Sequence, residues 1–434
     1  MKNNHRHIKI IVVLLTLIIL FNINGVVALV FGISGLLSPI YLILSIFGIF
    51  LLTKVLPKQL LLGYYLKLFF YFFCFYLVIS FISGMINFEN IIKKISWFSL
   101  WRSYLGTIFI IYFYYLSTVY FIYIEKQFEL LKLIGVILLM AVTISGLLDY
   151  FEIVKFYDVK MASKISGQRT GGIFANPNEL GAQATYSLSF MVFLFLHKKQ
   201  SVFYFIGILL SVYMAIISFS KSAIIIAVFV LFFFVINNFL KFRKLSFFSK
   251  KKVFFFQLAV ITLLIVSFLN LVLFSERIRG SLQGEQLRRF DQVVAIVSGD
   301  VTDENTSDRI VLANEGYRLI SEHPIIGNGF GTFHRLKNIG LGVHNGYLMV
   351  LGEAGIFPFL LLLYILLLSL FRSFNYLNPE YSGLFSSLLI IFYFQVILTT
   401  HGAFEDRTFN ALLGIIFGFF KMEKYVWNLR NIKS

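Results

Sequence analysis

DRIVLANEGYRLISEHPIIGNGFGTFHRLKNIGLGVHNGYLMVLGEAG, residues 308–355, is a polar, glycine-bearing stretch whose end runs straight into the apolar segment IFPFLLLLYILLLSL, residues 356–370. A bilayer-crossing helix needs about 20 apolar residues at about 1.5 Å each. Residues 345–370 meet that length, so the stretch reads as an external loop delivering His344 to the mouth of a membrane span. Within it, Asp308 to His323 has a helical pattern that Pro324 stops, with Ile310, Ala313, Tyr317 and Ile320 as the apolar stripe. Arg309 borders that stripe and Arg318 points away from it. Gly327, Gly329 and Gly331 read as a hinge between this helix and the span.

Working outward, apolar runs recur along nearly the whole chain. Hydrophobic residues make up 59% of the 434, charged residues only 14%, and mean hydropathy is +0.84. Water-facing surface requires more charge, which excludes a soluble domain. Spans are expected near 9–28, 35–53, 61–83, 105–124, 130–148, 181–196, 201–218, 222–240, 253–274, 345–370, 382–400 and 408–421. The fold class is therefore an all-α polytopic membrane protein with about twelve transmembrane helices. The first run lacks a small-residue cleavage site and is expected to stay as an anchor. The single cysteine, Cys74, allows no internal disulfide.

Net charge is +17, and its distribution gives an orientation. Lysines gather in one set of connections, above all the run Lys241, Arg243, Lys244, Lys250, Lys251 and Lys252, which the positive-inside rule places with both termini in the cytoplasm. That run reads as a topology signal with headgroup contact, not as a nucleic-acid site. Arginine goes the other way. Arg102, Arg169, Arg277, Arg279, Arg288, Arg289, Arg309, Arg318, Arg335 and Arg407 fall outside, against Arg6, Arg243, Arg372 and Arg430 inside. The planar guanidinium grips phosphate oxygens in pairs, so an Arg-loaded external face points to an anion with several oxygens, such as a pyrophosphate. Pairing with nearby acids accounts for some of these arginines. Arg288 and Arg289 carry a structural or headgroup reading.

Three other external elements carry polar groups. SGQRTGGIFANPNELG, residues 166–181, places Arg169 before a glycine turn; SFSKSA, residues 218–223, puts Lys221 at an interface; HGAFEDR, residues 401–407, joins the last two spans and ends in Arg407. No nucleotide loop and no persuasive metal-ligand spacing is present, so neither a metal nor a cofactor is expected. The spans read as nearly free of charge, with Lys67 snorkelling at the end of one. Charge gathered in external loops, with no internal repeat, argues against a flippase or other transporter, the rival from another class.

The segments HPIIGNGFGTF and HNGYLMVLGEAGIFP, with GGIFANPNELGA and SFSKSA upstream, resemble the O-antigen ligase and Wzy-type polymerase superfamily of bacterial surface polysaccharide assembly, over roughly residues 165–370. The resemblance divides the chain into N-terminal helices (1–164), the ligase- or polymerase-like core (165–370, with its large loop at 275–343) and C-terminal helices (371–434). It implies a membrane glycosyltransferase of the C-type fold, acting without metal at the outer face of the bacterial cytoplasmic membrane. Its donor would be an undecaprenyl-pyrophosphate-linked oligosaccharide, and its partners the bilayer, a chain-length regulator and a flippase, with no nucleic acid. His344 matches the family's base for the acceptor hydroxyl. Arg309 matches the loop arginine; Lys221 stands where many relatives have arginine; Arg169, Arg318 and Arg407 complete the candidates for holding the pyrophosphate. Polymerisation of repeat units is the leading function implied, for O-antigen, capsule or exopolysaccharide, with ligase-type transfer of finished glycan to a lipid, protein or wall acceptor as the alternative.

Overall fold

The computed structural model describes residues 2–23, 25–27, 38–86, 97–125, 129–154, 170–174, 176–197, 201–241, 307–334, 336, 339, 341–398 and 403–431, with seven isolated positions between 254 and 291. The expected span at 253–274, most of the loop from 275, Arg169, Arg335 and His401 lie outside them. Among the described residues there is no strand. The helices are α1 (Lys2–Leu20), α2 (Ser38–Val55), α3 (Tyr64–Ile86), α4 (Trp97–Tyr123), α5 (Glu129–Tyr150), α6 (Pro177–His197), α7 (Ser201–Ile217), α8 (Lys221–Lys241), α9 (Ser307–Glu322), α10 (Gly346–Ala354), α11 (Ile356–Phe374), α12 (Pro379–Ile391) and α13 (Arg407–Asn431). A π-helical turn, Phe392–Ile397, extends α12.

Among the described residues, five segments, Tyr64–Ile86, Tyr104–Tyr123, Leu130–Tyr150, Pro177–Leu196 and Ile356–Phe374, are long and apolar enough to cross a membrane, and four shorter apolar helices accompany them. These features fit an all-α membrane protein. On α11 the exposed residues Phe357, Leu360, Tyr364, Leu367 and Phe371 recur at helical spacing. Such a stripe is costly in water and favourable against lipid.

The centre is the parallel pair α4 and α13. Their approach is close because α13 offers glycines: a Cβ on Gly414 would fall 2.3 Å from the Ile111 carbonyl oxygen, and one on Gly418 2.7 Å from Thr118 Cβ. α6 is buried along most of its length beside α5, α7 and α8. At one end of the bundle Lys9 pairs with Glu125 at 2.7 Å, Arg372 with Glu423, and the Tyr425 hydroxyl donates to the Tyr123 carbonyl at 3.4 Å. At the other end Thr107 donates to the Phe404 carbonyl at 2.7 Å, and Thr185 to Gln395 at 2.8 Å. The beginnings of α6, α8, α10 and α13 gather at this second end.

One expected span is two helices. Residues 345–370 break at Gly355, which has φ +77 and separates α10 from α11. The cause is a backbone crossing: Ile356 N–H donates to the Pro324 carbonyl at 3.1 Å, so the chain after α9 passes directly over the break. A Cβ at Gly355 would lie 2.0 Å from the Ile325 carbonyl oxygen. Gly355→Ala is therefore expected to cost at least about 1–3 kcal/mol through strained backbone and clash. Gly106→Ala, which meets nothing within 4 Å, serves as the neutral control. Thermal unfolding of both variants in detergent checks this; equal midpoints would contradict the break.

Candidate functional site

The two motifs of the opening stretch are halves of one packed unit. In GNGFGTFH, the Asn328 and Gly329 N–H groups donate to the Gly352 and Glu353 carbonyls at 2.7 and 3.0 Å, and Phe330 N–H donates to the Ser80 carbonyl of α3 at 3.0 Å. Gly329, at φ +104, lets the loop touch α3: a Cβ there would be 2.4 Å from Gly84 Cα. Phe333 is wholly buried, its ring filling the space a side chain at Gly352 would need. The glycine cluster is thus a seam, not the expected hinge, because its backbone groups are bonded into α3 and α10.

Glu353 closes the seam. It is wholly buried and lies inside the expected span 345–370, a charged group besides Lys67 in spans that read as nearly free of charge. Its carboxylate accepts from the Tyr76 hydroxyl at 2.5 Å and Phe333 N–H at 3.2 Å, and faces His334 Nδ1 at 3.0 Å. His334 Nε2 lies 3.5 Å from Glu405. Burial alone would lower the His334 pKa, but the two carboxylates outweigh it and raise it to about 10. His334 therefore carries its proton at neutral pH and acts as a cation, not a base.

His344 stands where this unit meets the surface. Val343 N–H donates to the Phe333 carbonyl at 3.0 Å, and two residues later the Asn345 side chain caps α10 by accepting from Tyr347 and Leu348 N–H at 3.0 and 3.2 Å. Pinned on both sides, His344 is exposed at the helix entrance. That location suits a base which must meet a hydroxyl arriving from outside.

The candidate cations separate. α9 begins at Ser307, and its packed face is Leu312, Ala313, Gly316, Leu319 and Ile320; Tyr317, expected in the stripe, is 57% exposed. The stripe is displaced because Gly316 admits Phe333 and Val343 against the helix. By register, position 309 stands on this packed face. Arg318 lies on the opposite side, exposed and bonded to Glu315 at 2.8 Å and to Glu322. Lys221 opens α8 after a tight turn in which Phe219 has φ +48, and is half-buried. Arg407 opens α13 with its guanidinium 4.2 Å from the centre of the Tyr41 ring.

The glycine turn GGIF is also not a ligand cradle. The Gly171 and Gly172 N–H groups both donate to the Asp149 carboxylate, at 2.8 and 2.9 Å. A paired N–H nest of this kind takes an anion, and here the protein supplies its own.

A second polar cluster joins the HGAFEDR turn, noted in the sequence, to residues of α6 that were not singled out there. Glu179, Gln183 and Tyr186 follow one another at i, i+4 and i+7 on α6, facing the start of α13. Asp406 accepts Phe409 N–H at 3.1 Å and a hydrogen bond from Gln183. Burial pushes the Asp406 carboxyl up to about 6 against the backbone N–H groups of Phe409 and Thr408, the Arg407 charge and Gln183. Arg407 feels Glu179, Glu405 and Asp406 together. The sequence signal was present: acids at the edge of or within apolar runs are rare and mark sites by default. Among the described residues no group of three or more His, Cys, Asp or Glu is arranged to hold a metal ion.

The His334 linkage has a sign that can be tested. With a pKa near 6.5 unfolded and about 10 folded, its stabilising contribution is fully present below about pH 6.5 and is lost as pH rises through about 10. The thermal midpoint of the wild type should fall across that window, and His334→Gln should flatten the fall. An unchanged slope in the variant would remove His334 from the clamp.

No curated protein matches the chain. Residues 205–363, which hold Lys221, Arg309, His334, His344 and Glu353, match the family model described as O-antigen ligase, Wzy_C, so this part of the chain is similar to the O-antigen ligase and Wzy superfamily.

Proposed function

We propose that this chain is a polytopic membrane glycosyltransferase that joins undecaprenyl-pyrophosphate-linked oligosaccharide repeats at the outer face of the bacterial cytoplasmic membrane. The observation that carries the reading is the placement of His344: exposed, fixed between the Phe333–Val343 hydrogen bond and the Asn345 cap, and within the O-antigen ligase match. His344 accepts the proton of an acceptor hydroxyl as that oxygen attacks the anomeric carbon of the donor. The bond from the anomeric carbon to the pyrophosphate oxygen breaks, and the lipid pyrophosphate leaves with the bonding pair. Arg309, with Lys221 and Arg169 in support, holds that departing charge. Arg318 and Arg407 are weaker holders, because their charge is already met by carboxylates.

Twelve spans, cytoplasmic termini and an external site complete the proposal. The lysine distribution supports the orientation, and the pairing of Lys9–Glu125 and Arg372–Glu423 at the end away from His344 fits it. A chain-length regulator and a flippase would supply and govern the substrate. Ligase-type transfer to a different acceptor is the second reading, favoured by the description of the matching family. A transporter would need Glu353 along a passage, whereas Glu353 is locked by Tyr76, Phe333 and His334.

In a strain lacking the native copy, His344→Ala and Arg309→Ala are each expected to lower polymer formation at least about 100-fold, the scale of a lost general base or oxyanion-type contact. Surface glycan length on a gel, at matched protein level, reads the outcome; full-length polymer from both variants would sink the assignment. Accumulation of single lipid-linked repeats in the deletion strain supports polymerisation, and accumulation of long lipid-linked chains supports ligation.

A further inference from the structure

The cluster between α6 and α13 has a composition that a pyrophosphate site cannot have. Three carboxylates, Glu179, Glu405 and Asp406, surround one guanidinium, Arg407. A multiply charged anion would meet more negative than positive charge there, in surroundings that screen poorly.

Two further groups are left wanting partners. Gln183 is 1% exposed and Tyr186 fully buried; the Gln183 Oε1 and the Tyr186 hydroxyl have no hydrogen-bond partner. Gln183 already uses its amide on Asp406, and the Tyr186 hydroxyl lies within electrostatic reach of the same carboxylate. Leaving such groups unpaired costs about 1–3 kcal/mol each, so they call for a ligand that both donates and accepts. Their spacing with Glu179 puts all three on one face of α6. Glu405, Asp406 and Arg407 are only half-buried, so the cluster opens towards solvent at its α13 side.

We propose that this cluster is a subsite for an uncharged, hydroxyl-rich sugar ring, the terminal residue of the acceptor glycan. Sugar hydroxyls donate to Glu179, Glu405, Asp406 and Gln183 Oε1, and accept from Arg407 and the Tyr186 hydroxyl. The acceptor is the source because of connectivity. Glu405 meets His334 at 3.5 Å, and the residue before His334 is hydrogen-bonded to the residue before His344. A ring held at Glu405 is thereby on the side of the base that deprotonates it. This assignment rests on the glycan-transfer reading above and moves Arg407 from the leaving group to the sugar.

The test separates the two. The probes are the oligosaccharide repeat released from its lipid by mild acid, which carries hydroxyls without pyrophosphate, and inorganic pyrophosphate, which carries the reverse. The full-length protein in nanodiscs, with Gln183→Leu and Tyr186→Phe, is titrated with each probe. Each substitution is expected to weaken binding of the released repeat about fivefold to tenfold, the scale of one lost hydrogen bond, and to leave pyrophosphate binding unchanged. Equal loss for both probes, or no loss of repeat binding in either variant, overturns the proposal. Repeat binding by the wild type without any transfer activity would fail the glycosyltransferase reading and leave the subsite standing. With labelled released repeat in an assay of the wild type, incorporation into longer product that falls in Gln183→Leu and Tyr186→Phe identifies the acceptor. Incorporation unaffected by substitutions that abolish repeat binding would assign the subsite to the donor glycan and overturn the acceptor assignment.

Discussion

The carboxylate of Glu353 is the interaction on which the site end of the bundle depends. Taking an ionised carboxylate out of water costs several kcal/mol unless it is paired and hydrogen-bonded. Here the Tyr76 hydroxyl, the Phe333 N–H and the His334 ring meet it, contributed by α3 and by the loop after α9. α3 is remote in sequence from both the loop and α10, so the group enforces one arrangement: the loop must lie in the groove between α3 and α10 or the charge is stranded. A buried ion pair is weak evidence for stability, since desolvation offsets much of its attraction; here its consequence is geometric, because three separate donors converge on one carboxylate.

The rest of the site follows from that docking. Because the loop passes over the end of α10, a continuous span is impossible there, and Gly355 divides it. Because Phe333 is held under α9, Val343 is held with it, and His344 is delivered to the surface at the capped start of a helix. The irregular backbone at residues 327–333 and 343 is tolerable beside membrane helices because its N–H groups are met by protein: Ser80, Gly352, Glu353 and Phe333 supply acceptors.

Much of this was legible in the sequence, and the failures share one cause. The apolar runs, the surface helix closed by Pro324, and the meeting of the glycine motif with the HNGYL motif were all readable, since length, hydropathy and helix stops are local properties. The register of α9 was misjudged because Tyr317 looks apolar while Gly316 does not, and only the Phe333 ring reveals that the glycine is the buried position. The seam reads as a hinge in sequence because a positive-φ glycine serves flexibility and close packing equally well. Glu353, His334 and the Glu179–Gln183–Tyr186 face were passed over because each is one polar residue in apolar or loop sequence. Their meaning lies in partners from 19 to 277 positions away in the chain, from the 19 that separate His334 from Glu353 to the 277 that separate Tyr76 from Glu353.

The external excess of arginine then divides by electrostatics rather than by location. Arg318 and Arg407 sit among the protein's own acids, and Asp149 fills the glycine nest that an anion might otherwise enter. A leaving group with two or more negative charges is stabilised only by cations whose field is not already spent on carboxylates within a few ångströms. A sugar has the opposite need, since its hydroxyls bind best where donors and acceptors are mixed and net charge is small. In the proposed transfer, Glu179 and the acids of the turn before α13 would keep the two parts of the reaction apart, because their charge disfavours pyrophosphate beside them. The anion then falls to Arg309 and Lys221, which both lie in the O-antigen ligase match, and His344 serves as the base for the acceptor hydroxyl.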